Sequence, residues 1–302
     1  MLDEKYHGEF DGYHFAGYSK DYKDSRIIFI PIAFQGTVSY GQGTFRAPYA
    51  IIQASQQLEN YDEDIDKQIF DEGFHTLKIQ YNDNVNAKEV IDKTEAICRE
   101  VINDNKFPFV IGGEHSISLA PVRAFSKAGK RFTVVQFDAH TDLSDSLHNN
   151  KYSHACVSRR IIEECNADIV QIGIRNLSKE LKNYIDNSNK VKVFYAKDIV
   201  KGTDEQKRKL INEIISSIKD DYVYITFDVD VFDPSLIPCT GTPEPGGLQW
   251  YDVLDIISEI AKRKKVIGSD VVELAPYEHN PSCDYTIAKL IYKMLGLVYK
   301  NN

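Results

Sequence analysis

Asp138, His140 and Asp142 occupy alternate positions of QFDAHTD (136–142), just where the apolar run RFTVVQF (131–137) ends. Two other apolar runs end the same way. FPFVIG (107–112) leads into GGEHS, with Glu114 and His115, and YVYITF (222–227) leads into DVDVFDPS, with Asp228, Asp230 and Asp233. In extended chain, positions i and i+2 point to one side. Asp138 with His140, and Asp228 with Asp230, can therefore each aim at one point. Aspartates gathered at one site repel unless cations neutralise them, because a buried unpaired charge is too costly. Two divalent cations would balance four such carboxylates. Carboxylate oxygens and imidazoles without a thiolate suit Mn²⁺ better than a structural Zn²⁺, and carboxylates bridge paired ions at about 3.5–4 Å spacing. The expected ligands are His115, Asp138, His140, Asp142, Asp228 and Asp230. Asp233, followed by Pro234, reads as turn chemistry.

The elements that must carry these residues are legible as short β-branched runs alternating with amphipathic stretches. Strands are expected at 26–34, 107–112, 131–137, 167–174, 191–196, 222–227 and 265–274, and helices at 46–60, 86–105, 116–128, 153–165, 204–219, 249–263 and 282–298. Most of the strand runs are continuously apolar, as strands buried on both faces are. The β-α-β order predicts a parallel, doubly wound sheet with helices on both sides, and ligands in such sheets sit beyond the carboxyl ends of the strands. No repeat or Ser/Gly-rich linker interrupts residues 1–302, so one domain is expected. Two loops rich in Gly and Pro, TVSYGQGTFRAP (37–48) and DPSLIPCTGTPEPGG (233–247), are long enough to be functional. The basic run KRKK (262–265) reads as a solvated helix end that complements the helix dipole.

Apolar content of 42% over 302 residues supports a sizeable core. The net charge of −9 argues against a nucleic-acid or anionic-membrane surface, which needs clustered positive charge. Five dispersed cysteines (Cys98, Cys156, Cys165, Cys239, Cys283), with no CxxC, suggest reduced thiols and a cytoplasmic setting. MLDEKYHGEF has no apolar segment of a signal peptide, and no run approaches the roughly 18 apolar residues of a membrane span.

GGEHS, DAHTD, SHAC (153–156) and DVDVFDPSLIPCTGTPEPGG (228–247) together resemble the ureohydrolase family of arginases, agmatinases and their relatives, the agmatinase branch most closely. The resemblance runs from TVSYGQGTFRAP to DVVELAP (270–276). It implies a three-layer α/β/α fold with a mostly parallel sheet of about eight strands, and two Mn²⁺ ions per subunit. One ion would take His115, Asp138, Asp142 and Asp228, and the other Asp138, His140, Asp228 and Asp230, with Asp138 and Asp228 bridging. It also implies hydrolysis of the guanidinium of agmatine to urea and putrescine by a hydroxide between the ions, a place in polyamine synthesis, and a homo-oligomer, trimer or hexamer. The catalytic set would be His154, Glu273 and Asp142. Glu273 would hold the guanidinium through paired, charge-assisted hydrogen bonds. His154 would shuttle a proton or contact the substrate, natural work for an imidazole near neutral pH.

The alternatives are arginase, guanidinobutyrase or guanidinase, formiminoglutamate as a substrate and, more remotely, a mononuclear zinc deacetylase of related fold. KYSHAC…RR within 143–160 looks like agmatinases. Leu147-His148-Asn149-Asn150 replaces an acidic residue and a glycine common there, which leaves Asp145 as a candidate seat for the substrate's amine tail. Gln42 and Phe45 also depart from the form common in the family. Glu114 reads as a carboxylate stabilising its loop. Glu244 lies near the site by loop proximity alone. His7, His14, His75, His148 and His279 read as structural or surface residues, and Cys156 as a small packed one.

Overall fold

A computed structural model of the protein describes residues 13–81 and 85–300. His7 and the N-terminal stretch read for a leader lie outside them. The main sheet contains β1 (Ile27–Ala33), β2 (Phe74–Thr76), β3 (Phe107–Gly112), β4 (Thr133–Phe137), β5 (Asp168–Ile174), β6 (Val191–Tyr195), β7 (Tyr222–Asp228) and β8 (Lys265–Val272). Its order is β2-β1-β3-β8-β7-β4-β5-β6, every pairing is parallel, and the two-residue strand Gln80–Tyr81 also pairs with β1. The seven long strands are those expected from the apolar runs, each within a few residues. Every residue of β1, β3 and β4 is buried, which is why these segments read as unbroken apolar runs.

Helices α1 (Ala47–Ser55), α6 (Ala196–Val200), α7 (Asp204–Ser217), α8 (Trp250–Arg263) and α9 (Ser282–Tyr299) share one core layer, which includes Ile51, Ile199, Ile214, Ile257 and Ile287. Helices α2 (Ala87–Asn103), α3 (Leu119–Lys127) and α4 (Val157–Cys165) cover the opposite face through Val90, Ile97, Val122 and Ile161. The remaining helix, α5 (Lys179–Asn187), buries no residue. This is the three-layer α/β/α architecture. At the end of α8, Lys262 and Arg263 both pair with Glu259 and stay largely exposed, as a solvated helix end should. Among the described residues, no helix is long and apolar enough to cross a membrane.

Four strands that are neighbours in the sheet, β3-β8-β7-β4, end in Glu114–His115, Glu273, Asp228 and Asp138 respectively. Adjacent parallel strands lie about 4.8 Å apart. The order of the sheet, which the chain order hides, thus gathers residues as far apart in sequence as His115 and Glu273, separated by 158 positions, into one cluster.

The thiols depart from expectation. Cys239 and Cys283 form a disulfide, with Cα atoms 6.2 Å apart and a sequence separation of 44. It ties the 233–247 loop to the first turn of α9. Spacing alone cannot reveal such a pair, because the fold is what brings the two Cβ atoms together. Cys98, Cys156 and Cys165 are free. Thiol titration of protein denatured without reductant should therefore count three thiols per chain, whereas five would contradict the pairing.

Candidate metal centre

His115 opens the turn after β3. Its Nε2 lies 3.0 Å from Thr226 Oγ1, and the Thr226 hydroxyl donates to Asp270 Oδ1 at 2.8 Å. With the hydroxyl proton committed to Asp270, Nε2 must be the protonated nitrogen that donates to Thr226. Nδ1 is then the bare nitrogen of the neutral ring. It is buried, has no hydrogen-bond partner, and sits 3.2, 3.1 and 3.3 Å from carboxylate oxygens of Asp138, Asp142 and Asp228. A nitrogen lone pair facing three carboxylates needs a cation between them. Without one, a proton fills that role. Burial opposes charge on the ring, but the Asp138, Asp142 and Asp228 carboxylates override it and raise the His115 pKa well above its ordinary value. The donor set therefore fits a divalent cation.

A second group shares Asp138. His140 Nδ1 lies 2.8 Å from Asp230 Oδ2 and 3.7 Å from Asp138 Oδ1. Against the cost of burial, the Asp230 charge and the Asp138 carboxylate push His140 up to about 12. Asp138 itself is held below the usual carboxylate range by His115 and His140 despite its burial. Burial first, and then the neighbouring carboxylates Asp230 and Asp138, push Asp228 well above that range. Atoms of His115, Asp138 and Asp142 lie within 4.8 Å of one another, as do atoms of Asp138, His140 and Asp230. All six residues named from the sequence thus meet at one place. Asp142 arrives in the left-handed region, at φ 50°, so the i, i+2 rule that places Asp138 and His140 does not place it.

Several supporting residues escaped the sequence reading. Gln136 Nε2 donates to Asp138 Oδ2 at 2.7 Å, and Gln136 Oε1 accepts from Ser158 Oγ and Gln171 Nε2. Thr226 and Gln136 each stand two residues before a strand-end aspartate. A polar residue inside an apolar strand, on the same face as a ligand, was the available signal. Arg175 donates through Nη2 to the carbonyls of Asp230 at 2.6 Å, Phe232 at 3.2 Å and Glu244 at 2.7 Å, and so clamps the start and end of the long loop. The Glu244 side chain accepts from Asn176 and lies 3.8 Å from His140 Nε2. Its place is thus behind the His140 ring.

Glu273 leaves β8 in the left-handed region at φ 66°, and its Oε1 accepts from the His115 backbone N–H at 2.6 Å. Burial, then the Glu114 charge, push its carboxyl up to about 8, and among the described residues no Lys or Arg pairs with it. It lines a cleft of about 150 Å³ with His140, Asp142, His154, Asp228, Asp230, Ser39, Tyr40 and Thr242, room for about five waters. The two Gly-rich loops meet at this cleft. Gly41 N donates to Gly241 O at 2.9 Å, and a Cβ on Gly41 would come within 2.8 Å of that oxygen, so only glycine permits the approach.

Asp233 accepts from Ser235 and from the backbone of Gly246 and Gly247, the work of a turn residue. The Cys156 thiol is buried and pushed up to about 11, which suits packing and not nucleophilic attack. Asp145 pairs with Arg160 at 3.0 Å and is not part of the cleft wall. The altered segment 147–150 is a tight turn. Leu147 and Asn150 exchange backbone hydrogen bonds, with His148 and Asn149 at φ 50° and 61°, as in a type I′ turn.

The family model "Arginase family" matches residues 25–296. The chain belongs to the arginase family. It is 36% identical over 281 residues to the N(1)-aminopropylagmatine ureohydrolase of Synechocystis, covering 91% of this chain and 90% of that protein. It is 35% identical over 283 residues to the agmatinase of Pyrococcus horikoshii, covering 92% and 93%. The crystal structure of the agmatine ureohydrolase of Thermoplasma volcanium superposes with a TM-score of 0.84 at 31% identity, covering 97% of this chain and 96% of that one. This arginase-family chain is a ureohydrolase. The resemblance read from GGEHS, DAHTD and the 228–247 segment holds, as does its leaning toward agmatinases.

Proposed function

We propose that this ureohydrolase binds two Mn²⁺ ions and hydrolyses the guanidinium of agmatine to urea and putrescine. The carrying observation is the His115 Nδ1 lone pair aimed at three carboxylates, beside a buried Glu273 that pairs with no cation among the described residues. His115, Asp138, Asp142 and Asp228 would hold one ion, and Asp138, His140, Asp228 and Asp230 the other. Two groups sharing Asp138 favour two ions over one, which speaks against a mononuclear deacetylase. When bound, the ions would acidify a water and supply a nucleophile at neutral pH.

The chain's own residues do the rest. Glu273 receives the guanidinium, and the substrate's charge restores its ionised state. His154, on the cleft wall, returns a proton to the departing nitrogen. Water adds across one C–N bond, so a guanidinium cation and water give neutral urea and an alkylammonium. Among the described residues no Lys or Arg lines the cleft, so a carboxylate on the substrate's tail would meet no opposite charge there. That favours a substrate ending in an amine. N(1)-aminopropylagmatine is the second reading, favoured by the identity to the Synechocystis protein. A single ureohydrolase domain, working in the cytoplasm as a homo-oligomer and contributing to polyamine synthesis, completes the proposal. The cytoplasmic setting draws no support from the thiols, because Cys239 and Cys283 form a disulfide.

Urea release by the Mn²⁺-loaded protein from agmatine, N(1)-aminopropylagmatine, arginine and guanidinobutyrate tests this. Agmatine or its aminopropyl derivative should lead, with kcat/KM for arginine lower by about 10²-fold or more, the scale set by a mismatched polar group. Arginine as the best substrate would contradict the reading.

A further inference from the structure

The 36–39 segment is tied to the site through a chain of hydrogen bonds. Glu114, buried beside His115, accepts four of them. They come from Gly36 N at 2.6 Å, Thr37 N at 2.7 Å, Thr37 Oγ1 at 2.8 Å and Ser116 Oγ at 2.6 Å. Thr37 Oγ1 in turn lies 3.0 Å from His154 N and 3.1 Å from His154 Nδ1. The other ring nitrogen, Nε2, lies 3.0 Å from Ser39 Oγ, and both residues line the cleft.

A carboxylate only accepts, so the single Thr37 hydroxyl proton must point at Glu114. Were it turned toward His154, an oxygen lone pair would face a carboxylate oxygen at 2.8 Å. Thr37 Oγ1 can then only accept from His154, from the backbone N–H and from Nδ1–H. Ser153 Oγ, 3.3 Å from Nδ1, has a free rotor and accommodates this proton. The neutral ring therefore carries its proton on Nδ1. Nε2 is left bare toward the cleft, with the Ser39 hydroxyl donating to it.

We infer that Glu114 and Thr37 are positioning residues that fix the tautomer of His154 and present its Nε2 as the proton-accepting nitrogen of the cleft. The catalytic use of His154 rests on the function proposed above, but the tautomer does not. No catalytic contact is assigned to Thr37 or Glu114. They act through the imidazole, as a carboxylate orients the histidine of a catalytic triad.

The test is ring-nitrogen NMR on full-length protein labelled with ¹⁵N-histidine and loaded with diamagnetic Zn²⁺ to avoid paramagnetic broadening. Recording at about pH 9, where an ordinary imidazole is neutral, isolates the tautomer. The His154 signals are assigned by their loss in His154→Gln. The wild type should show protonated Nδ1 and bare Nε2, and Thr37→Ser should keep that pattern. Thr37→Val, which removes the acceptor, should populate protonated Nε2. In the Mn²⁺-loaded enzyme, Thr37→Val should lower kcat by up to about 10²-fold, the lower end of what a positioned general acid–base group contributes. KM should stay within about twofold, and Thr37→Ser should recover most of the rate. Protonated Nε2 in the wild type, or an unchanged tautomer in a folded, metal-replete Thr37→Val, would overturn the inference. Absence of urea from every guanidino substrate would instead overturn the proposed function, because the ring signals report the tautomer without turnover.

Discussion

Asp138→Asn should yield a folded protein that retains at most one metal ion per chain and loses urea release by about 10³-fold or more. Asp138 is the residue the two candidate ligand groups share, 3.2 Å from His115 Nδ1 through one oxygen and 3.7 Å from His140 Nδ1 through the other. Asparagine keeps the shape and one acceptor oxygen, so the hydrogen bond from His140 N survives. What it removes is the negative charge that would bridge two cations, together with the oxygen that accepts from Gln136 Nε2. Metal affinity is built from such charges, and two-metal catalysis fails when one ion is lost. Elemental analysis beside a urea assay checks both parts. Two ions retained with full activity would show that Asp138 does not bridge.

Glu273→Gln should separate substrate binding from metal binding. Gln keeps an Oε1 that can accept from the His115 backbone, as Glu273 does at 2.6 Å. It cannot supply the charge a guanidinium seeks. Breaking a buried charged pair costs about 3–5 kcal/mol, so kcat/KM for the guanidino substrate should fall by about 10²- to 10⁴-fold with metal content unchanged. Steady-state kinetics with metal analysis decides it, and an unchanged kcat/KM would remove Glu273 from the substrate site.

Much of this site was legible in the sequence, for a physical reason. Strands buried on both faces must be apolar throughout, so DAHTD after RFTVVQF and DVDVFDPS after YVYITF stand out as breaks in pattern. A parallel sheet puts all such breaks at one end. What escaped depended on contacts between distant segments. No periodicity marks Thr37 as the partner of Glu114 and His154, since 77 and 117 residues separate it from them. The Cys239–Cys283 pair is of the same kind. Helix α5 shows only a short stripe, Leu181, Tyr184 and Ile185, of which no residue is fully buried, and strands as short as Phe74–Thr76 are too brief to show a period. The left-handed backbone at Asp142 and Glu273 is likewise set by the surrounding fold and not by residue type, since neither is a glycine. Asp145 shows the limit of loop reasoning. It stood close to the site in sequence, yet its side chain pairs with Arg160 and does not line the cleft.

The most direct test of the central claim is anomalous diffraction at the manganese edge from crystals of the Mn²⁺-loaded protein. Two peaks are expected about 3.5–4 Å apart, one among His115, Asp138, Asp142 and Asp228 and the other among Asp138, His140, Asp228 and Asp230. A single peak, or none at these residues, would contradict the dinuclear site on which the proposed chemistry rests.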